Sequence, residues 1–311
     1  MVITVTLNPA LDKTLVVNNF AVGEVNRVQA ARDDIGGKGL NVSKVLKEFG
    51  IQSLALGFLG NNLRDRFEKD LDTKGIDHRF ISISSGTRTN IKLVDEKKRT
   101  FTDINEPGGA ITPEELEEFL TLFQQTIKKG DLVVLAGGVG EGVPITIYKT
   151  LTGLAKRKGA TVVVDAEGKL LGEALTEHPD VIKPNEKELS TLVGRTLQTE
   201  EQIVQAIKEI QEMGIDNILV SMGSEGSIYL TPNGAYRAEG LQVPVKSTVG
   251  AGDSMVAALV YSILNERDDI NTLALAQSAG AASVMLEGTK ACNLSQAESL
   301  MERALMKIRR I

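Results

Sequence analysis

Short apolar runs alternate along the chain with longer stretches of helical period. Val133-Val134-Leu135-Ala136, Val162-Val163-Val164-Asp165 and Asn217-Ile218-Leu219-Val220-Ser221 carry the pattern of parallel strands covered on both faces. Between them lie amphipathic helices with legible ends. Thr112 reads as an N-cap, Pro113 as the first helical residue and Glu115 as the reciprocal capping partner. Leu116, Phe119, Leu120, Phe123 and Ile127 then recur at helical spacing, and Lys128-Lys129-Gly130 closes the helix. Thr199 and Gln202 predict a second capping box ahead of a buried stripe of Ile203, Ala206, Ile207 and Ile210. Such alternation predicts an α/β fold, a mainly parallel sheet with helices on both faces.

Two stretches break the alternation. Residues of about 12–34 and 87–106 are rich in β-formers and turns, as in Leu15-Val16-Val17, Thr89 to Val94 and Arg99 to Ile104. They form either two solvent-facing hairpins or one small β-sheet that acts as a lid, and the lid is the expectation. No repeat, low-complexity tract or linker interrupts the chain, so residues 1–311 are expected to form one domain with the lid inserted in it.

Composition narrows the partners. The 311 residues carry a formal charge of −6, which argues against nucleic acid as the main partner. Cys292 is the only cysteine, so no intrachain disulfide forms, as fits a reducing compartment. The first residues read as a strand and a turn rather than a secretory leader, and no apolar run reaches membrane-spanning length. These features together predict a cytoplasmic protein without a membrane partner.

Four segments carry candidate chemistry. In Thr248-Val249-Gly250-Ala251-Gly252-Asp253-Ser254, small residues admit close backbone approach, and the apolar run that follows is a buried helix. Its first turn offers free N–H groups and a positive dipole end, an anion site. Asp253 there can accept a proton from a hydroxyl nucleophile, although Gly-Asp alone would be a capped helix start. Gly36-Gly37-Lys38-Gly39-Leu40-Asn41 is a second site of close approach or a tight turn opening a helix; it is no Walker A loop, since neither Ser nor Thr follows Lys38. Asn185 and Glu188, three apart after the apolar Val181-Ile182, share one helix face. That pairing suits a hydrated magnesium ion, or simply an N-cap with an acidic first turn. Ser221 to Gly226 is a turn after a strand. His78, His178 and the Glu-rich run at 114–118 read as surface features, and Cys292 as a packing residue.

Taken together and in this order, these segments resemble the ribokinase-like, or pfkB, carbohydrate kinases along the whole chain. Thr6 to Thr14, Gly36 to Asn41, Thr87 to Lys92 and Asp103 to Gly108 are most similar to the 1-phosphofructokinase branch, with tagatose-6-phosphate kinases next. The resemblance implies a three-layer αβα core with a β-sheet lid and use of ATP and Mg2+. It also implies phosphorylation of D-fructose 1-phosphate to D-fructose 1,6-bisphosphate and a homodimer through the lid. A kinase of another hexose phosphate, or a sugar-phosphate-binding regulator without catalysis, are the alternatives; an intact base speaks against the last. By resemblance Asp253 is the base, and Gly250, Ala251 and Gly252 give the anion hole. Asp12, Gly37, Lys38, Asn41, Arg88 and Asn90 bind the sugar phosphate, with Arg88 on the existing phosphate. Lys183 reaches the transferring group, and Ser221, Gly223, Gly226, Thr248, Gln277 and Gly280 line the nucleotide site. Asn185 and Glu188 hold magnesium through water. One segment departs from the family: Leu135 to Pro144 lacks the usual Gly-Ser and proline pair near the substrate.

Overall fold

The apolar runs become the middle of a ten-stranded sheet, in a computed structural model that describes all 311 residues. The chain opens with β1 (Val2–Thr6), β2 (Ala10–Val17), β3 (Val28–Gly36), α1 (Lys38–Glu48), β4 (Ser53–Gly60), α2 (Arg64–Lys74), β5 (Asp77–Ile83), β6 (Arg88–Asp95) and β7 (Thr100–Asn105). It continues with α3 (Pro113–Thr126), β8 (Leu132–Ala136), α4 (Ile147–Arg157), β9 (Thr161–Asp165), α5 (Gly168–Leu175), β10 (Val181–Ile182), α6 (Glu186–Val193) and α7 (Glu200–Glu212). It ends with β11 (Asn217–Ser221), β12 (Gly226–Thr231), β13 (Gly234–Glu239), α8 (Ala251–Leu264), α9 (Asp269–Val284), α10 (Leu294–Leu305) and β14 (Ile308–Arg310).

The large sheet runs in the order β14-β13-β12-β11-β10-β9-β8-β1-β4-β5. From β11 to β5 all neighbours are parallel, and β12, β13 and β14 add an antiparallel edge. Alternate strand residues feed two cores, as a sheet covered on both faces requires. Ile3, Val5, Val133, Leu135, Val162 and Val164 meet α3 to α7, whereas Val2, Leu132, Val134, Val163 and Leu219 meet α1, α8, α9 and α10. Helix α8 is apolar on most sides because it packs against both α1 and α9.

The caps mostly form as the spacing predicts. Thr112 and Glu115 bond reciprocally, and the Glu115 carboxylate also accepts the Ser84 N–H. Helix α3 ends at Thr126, ahead of Lys128, because Ile127 turns to extended backbone (φ −72°, ψ 136°) and buries its side chain. Only half of the second capping box exists. Thr199 Oγ1 accepts from the Gln202 N–H, but the Gln202 side chain accepts from Gln198 instead of Thr199.

The two stretches that broke the alternation join in one separate four-stranded sheet, ordered β3-β2-β6-β7. Two antiparallel hairpins meet along a parallel β2–β6 seam, and the strands reach from Ala10 to Gly36 and from Arg88 to Asn105. Asp95 secures the far end, where its carboxylate accepts the N–H groups of Asn19, Phe20, Lys97 and Lys98. At the near end Leu11 and Ile35 pack with Leu59, Phe67 and Phe80. From β1 the chain goes to β4 and β5 on one side and returns to β8 on the other. That reversal opens a crevice beyond the carboxyl ends of the strands, under the small sheet.

Candidate active site

The two glycine-rich turns meet in this crevice. Helix α1 starts at Lys38 behind Gly37, whose φ is 127°. A Cβ at Gly37 would lie 2.5 Å from Thr6 Cγ2, and one at Gly36 2.6 Å from Asp12 Oδ2, so this turn can rest on β1 and β2 only as glycine. Helix α8 starts at Ala251 behind Gly250 (φ 80°) without a side-chain cap, which leaves its first N–H groups for an anion. A Cβ at Gly252 would stand 3.2 Å from the Lys183 ammonium, in the space an anion would share with it.

Asp253 lies in the first turn of α8 and is 7 % exposed. Asn41, in α1, donates Nδ2 to Asp253 Oδ2 at 2.8 Å, and no protein donor reaches Oδ1. Burial first, and the Asp165 charge next, push the Asp253 carboxyl up to about 6, against the opposite pull of Asn41, Lys38 and Lys183. A carboxylate so placed is ionised at neutral pH yet basic enough to take a proton.

Asp165 is the residue that sequence reasoning passed over. It ends β9, is almost fully buried, and takes Lys38 Nζ at 3.1 Å and Lys183 Nζ at 3.5 Å on Oδ1. Burial works against its charge, but Lys183 and Lys38 hold it below the usual carboxylate range. Burial likewise opposes charge on Lys38, while Asp165, Glu188 and Asp253 raise it well above the ordinary lysine value. Asp165 Oδ2 is buried and has no partner. The signal in the sequence is a carboxylate at the carboxyl end of a parallel strand, Val162 to Asp165, the edge at which such sheets bind ligands.

Asn185 and Glu188 do form a capping box. Asn185 Oδ1 accepts the Glu188 N–H, and Glu188 Oε2 accepts the Asn185 N–H. Glu188 Oε1 stays outside the cap, 4.0 Å from Lys38 Nζ, and both residues line the same cavity as Asp253 and Asp165. Capping and a place in the site therefore coexist. Ser221 lines the cavity from the end of β11, bridged to Asn185.

The small sheet supplies the opposite wall. Asp12 and Asn90 face each other in register across the β2–β6 seam, and Asn90 Nδ2 donates to Asp12 Oδ1 at 3.0 Å. Lys92, Asp103 and Asn105 line the same wall; all three lie in segments that carry the family resemblance, but the sequence assigned them no role. Lys92 follows Asn90 at the next same-face position of β6, and from β7 Asn105 faces Asn90 and Asp103 faces Lys92. Arg88 lines the cavity but is partly occupied: Nη1 donates to the Glu106 carbonyl and Nη2 to the Asn8 carbonyl, and Nε has no partner. It thus ties the connection that enters β2 to the one that leaves β7. The cavity between the two walls measures about 440 Å3.

Five residues expected at the nucleotide site do not line this cavity. Gly226 opens β12 with φ 110°, where a Cβ would lie 2.1 Å from the Ala238 carbonyl, so the hairpin itself requires glycine. The Gln277 side chain accepts from Ser227 Oγ at 2.7 Å, and Gly280 lets α9 approach Met255 of α8. Gly223 begins a short turn after β11, and Thr248 lines a neighbouring groove between the small sheet and the segment before α8. Cys292 is fully buried, and burial pushes its thiol up to about 11, as suits a packing residue.

Known proteins agree with this geometry. Residues 5–296 match the family model described as pfkB family carbohydrate kinase. The chain is 34 % identical to 1-phosphofructokinase of Haemophilus influenzae over 303 residues, 97 % of this chain and 96 % of that protein. It is 37 % identical to 1-phosphofructokinase of Rhodobacter capsulatus over 274 residues, 88 % and 87 % of the two chains. Phosphofructokinase-2 of Escherichia coli, in complex with substrates and products, superimposes with a TM-score of 0.93 at 26 % identity, covering 97 % of this chain and 99 % of that one. A buried carboxylate at an uncapped glycine-rich helix start, two lysines paired with Asp165 and a small sheet over the crevice, together with a family match across the chain, make this protein a member of the pfkB family of carbohydrate kinases.

Proposed function

We propose that the protein transfers the γ-phosphoryl group of ATP to the free primary hydroxyl of D-fructose 1-phosphate, giving ADP and D-fructose 1,6-bisphosphate. One observation carries the chemistry. Asp253 sits between a sugar-facing wall of Asp12, Asn41 and Asn90 and a phosphate-facing wall of Lys38, Lys183 and the uncapped start of α8. The choice of sugar phosphate rests on the extended similarity to 1-phosphofructokinases.

The hydroxyl approaches Asp253 Oδ1, the oxygen free of Asn41. As its oxygen bonds to the γ-phosphorus, the bond from that phosphorus to the bridging β–γ oxygen breaks, the proton passes to Asp253 and ADP departs. The N–H groups of Gly250, Ala251 and Gly252, with Lys183 and Lys38, face the oxygens of the moving group and stabilise their charge. Asp12 and Asn90 hold sugar hydroxyls, and Arg88 contributes its unused donors to the phosphate already present. Asp165, through its unpartnered Oδ2, and Asn185 and Glu188 form an oxygen-rich set that would hold Mg2+, which when bound neutralises the triphosphate.

The small sheet acts as the lid, and an ATP-dependent sugar kinase of this kind works in the cytoplasm. Its strands also present exposed Phe101 and Ile104, 70 % and 54 % accessible, which favours pairing with a second copy through the lid. Sedimentation of wild type against Phe101→Asp tests that pairing; a dimer unaffected by the charge would refute it. ADP release with ATP and fructose 1-phosphate tests the activity, and absence of sugar-dependent ADP would refute it.

A further inference from the structure

We propose that Lys44 is a positioning residue for Asp253, acting through the side chain of Asn41. The inference rests on Asp253 being the base.

Lys44 lies three residues after Asn41 on α1, on the same face. It is a lysine with 7 % exposure, and it lines a neighbouring cavity rather than the one that holds Asp253. Its ammonium donates to the carbonyl of Ile35 and lies 3.4 Å from Asn41 Oδ1. No carboxylate forms a salt bridge with it. The charged groups around it are Asp70 and Lys74 of α2, Asp34 of β3 and Asp12 of β2, and burial pulls its pKa down to about 8. An apolar side chain would fill this place without the cost of burying an ammonium. The geometry supplies a reason for a cation.

An asparagine amide can turn either way, with oxygen and nitrogen exchanged. Turned one way, Asn41 donates to Asp253; turned the other, it sets its carbonyl oxygen against the carboxylate. An ammonium has donors only, so beside Lys44 the Asn41 oxygen must face the lysine and the NH2 must face Asp253 Oδ2. That choice holds Oδ2 and leaves Oδ1 for the sugar hydroxyl. The other Lys44 bond goes to Ile35, near the end of β3 and one residue before the Gly36–Gly37 turn, so one ammonium links the base of the small sheet to the orientation of the amide.

The test compares Lys44→Met and Lys44→Arg with wild type, using fructose 1-phosphate and ATP. Lys44→Met is expected to lower kcat about tenfold, equivalent to 1.4 kcal/mol in the transition state, with KM for ATP unchanged. The acid limb of kcat/KM is expected to move to higher pH, because the Asn41 bond that lowers the Asp253 pKa against Asp165 is no longer secured. Lys44→Arg, again all donors, is expected to recover most of the activity and the wild-type limb. Should Lys44→Met fail to fold, Lys44→Gln replaces it, since glutamine permits either orientation of Asn41. Wild-type kcat and limb in Lys44→Met, or a loss of kcat with both KM values raised and the limb unmoved, would overturn the inference. Asp253→Asn, run alongside, separates the two readings. If it is inactive while Lys44→Met is unaffected, only the role of Lys44 falls; if it is itself active, the base falls and Lys44 with it.

Discussion

Replacing Asp253 by asparagine removes the proton acceptor while keeping the shape of the side chain. The asparagine can still accept from Asn41 Nδ2, now 2.8 Å from Oδ2, so α1 and α8 keep their contact. The anion site made by the start of α8 and Lys183 is untouched, and ATP should bind as before. What disappears is general-base assistance, and kcat is expected to fall about 10²- to 10⁴-fold. The pH dependence gives a second reading. With a pKa of about 6, raised by burial and by Asp165, the carboxyl is ionised above that value and protonated below it. A base works only when ionised, so wild-type kcat/KM should be level above about pH 7 and fall toward tenfold per unit below 6. ADP quantified directly by chromatography at each pH avoids coupling enzymes that fail in acid. A sugar phosphate also titrates near pH 6, so the informative comparison is with the variant. A limb that survives in Asp253→Asn belongs to the substrate, and the part that vanishes belongs to Asp253. Near-wild-type turnover in the variant, or the same limb in both proteins, would refute the assignment.

Three further outcomes are expected. Glu188→Gln should keep the helix cap through its single amide oxygen yet raise the Mg2+ concentration for half-maximal activity, because an uncharged NH2 replaces the carboxylate oxygen outside the cap; an unchanged Mg2+ titration would leave Glu188 with capping alone. Arg88→Ala should lower kcat/KM for fructose 1-phosphate by about 10- to 150-fold, the size of one charged hydrogen bond, and change the use of unphosphorylated fructose much less. Equal loss with both sugars would reduce Arg88 to its ties to Asn8 and Glu106. Hydrogen exchange in β2, β3, β6 and β7 should slow when fructose 1-phosphate is added, and absence of protection in all four strands would end the lid assignment.

Local signals carried most of the architecture. Runs such as Val133 to Ala136 could be buried on both faces only in a parallel sheet, and Thr112 with Glu115 marked a helix start without tertiary help. The glycines at 36 and 37 announced close approach because a Cβ at either would run into Asp12 or Thr6, and Gly250 announced the left-handed residue ahead of α8. What stayed hidden depends on distant pairing. Asp165 differs from any strand-ending aspartate only through Lys38 and Lys183, which lie 127 residues before it and 18 after. Lys92, Asp103 and Asn105 became site residues through the register of β6 with β7, which alternation alone does not fix. Gln277 and Gly226 have structural work of their own, since Gln277 Oε1 accepts from Ser227 and Gly226 makes the close turn into β12, and neither contact is visible in their order along the chain. The second capping box failed for a smaller reason, since Gln198, one residue earlier, offered its N–H to Gln202.

The central claim is the identity of the sugar, and one panel tests it most directly. Purified protein is given ATP and Mg2+ with fructose 1-phosphate, tagatose 6-phosphate, fructose 6-phosphate or free fructose, and ADP release is followed at several concentrations of each. The highest kcat/KM is expected for fructose 1-phosphate, by at least about tenfold, or 1.4 kcal/mol of differential transition-state binding. A higher kcat/KM for any other sugar in the panel, or ADP release that no sugar increases, would contradict it.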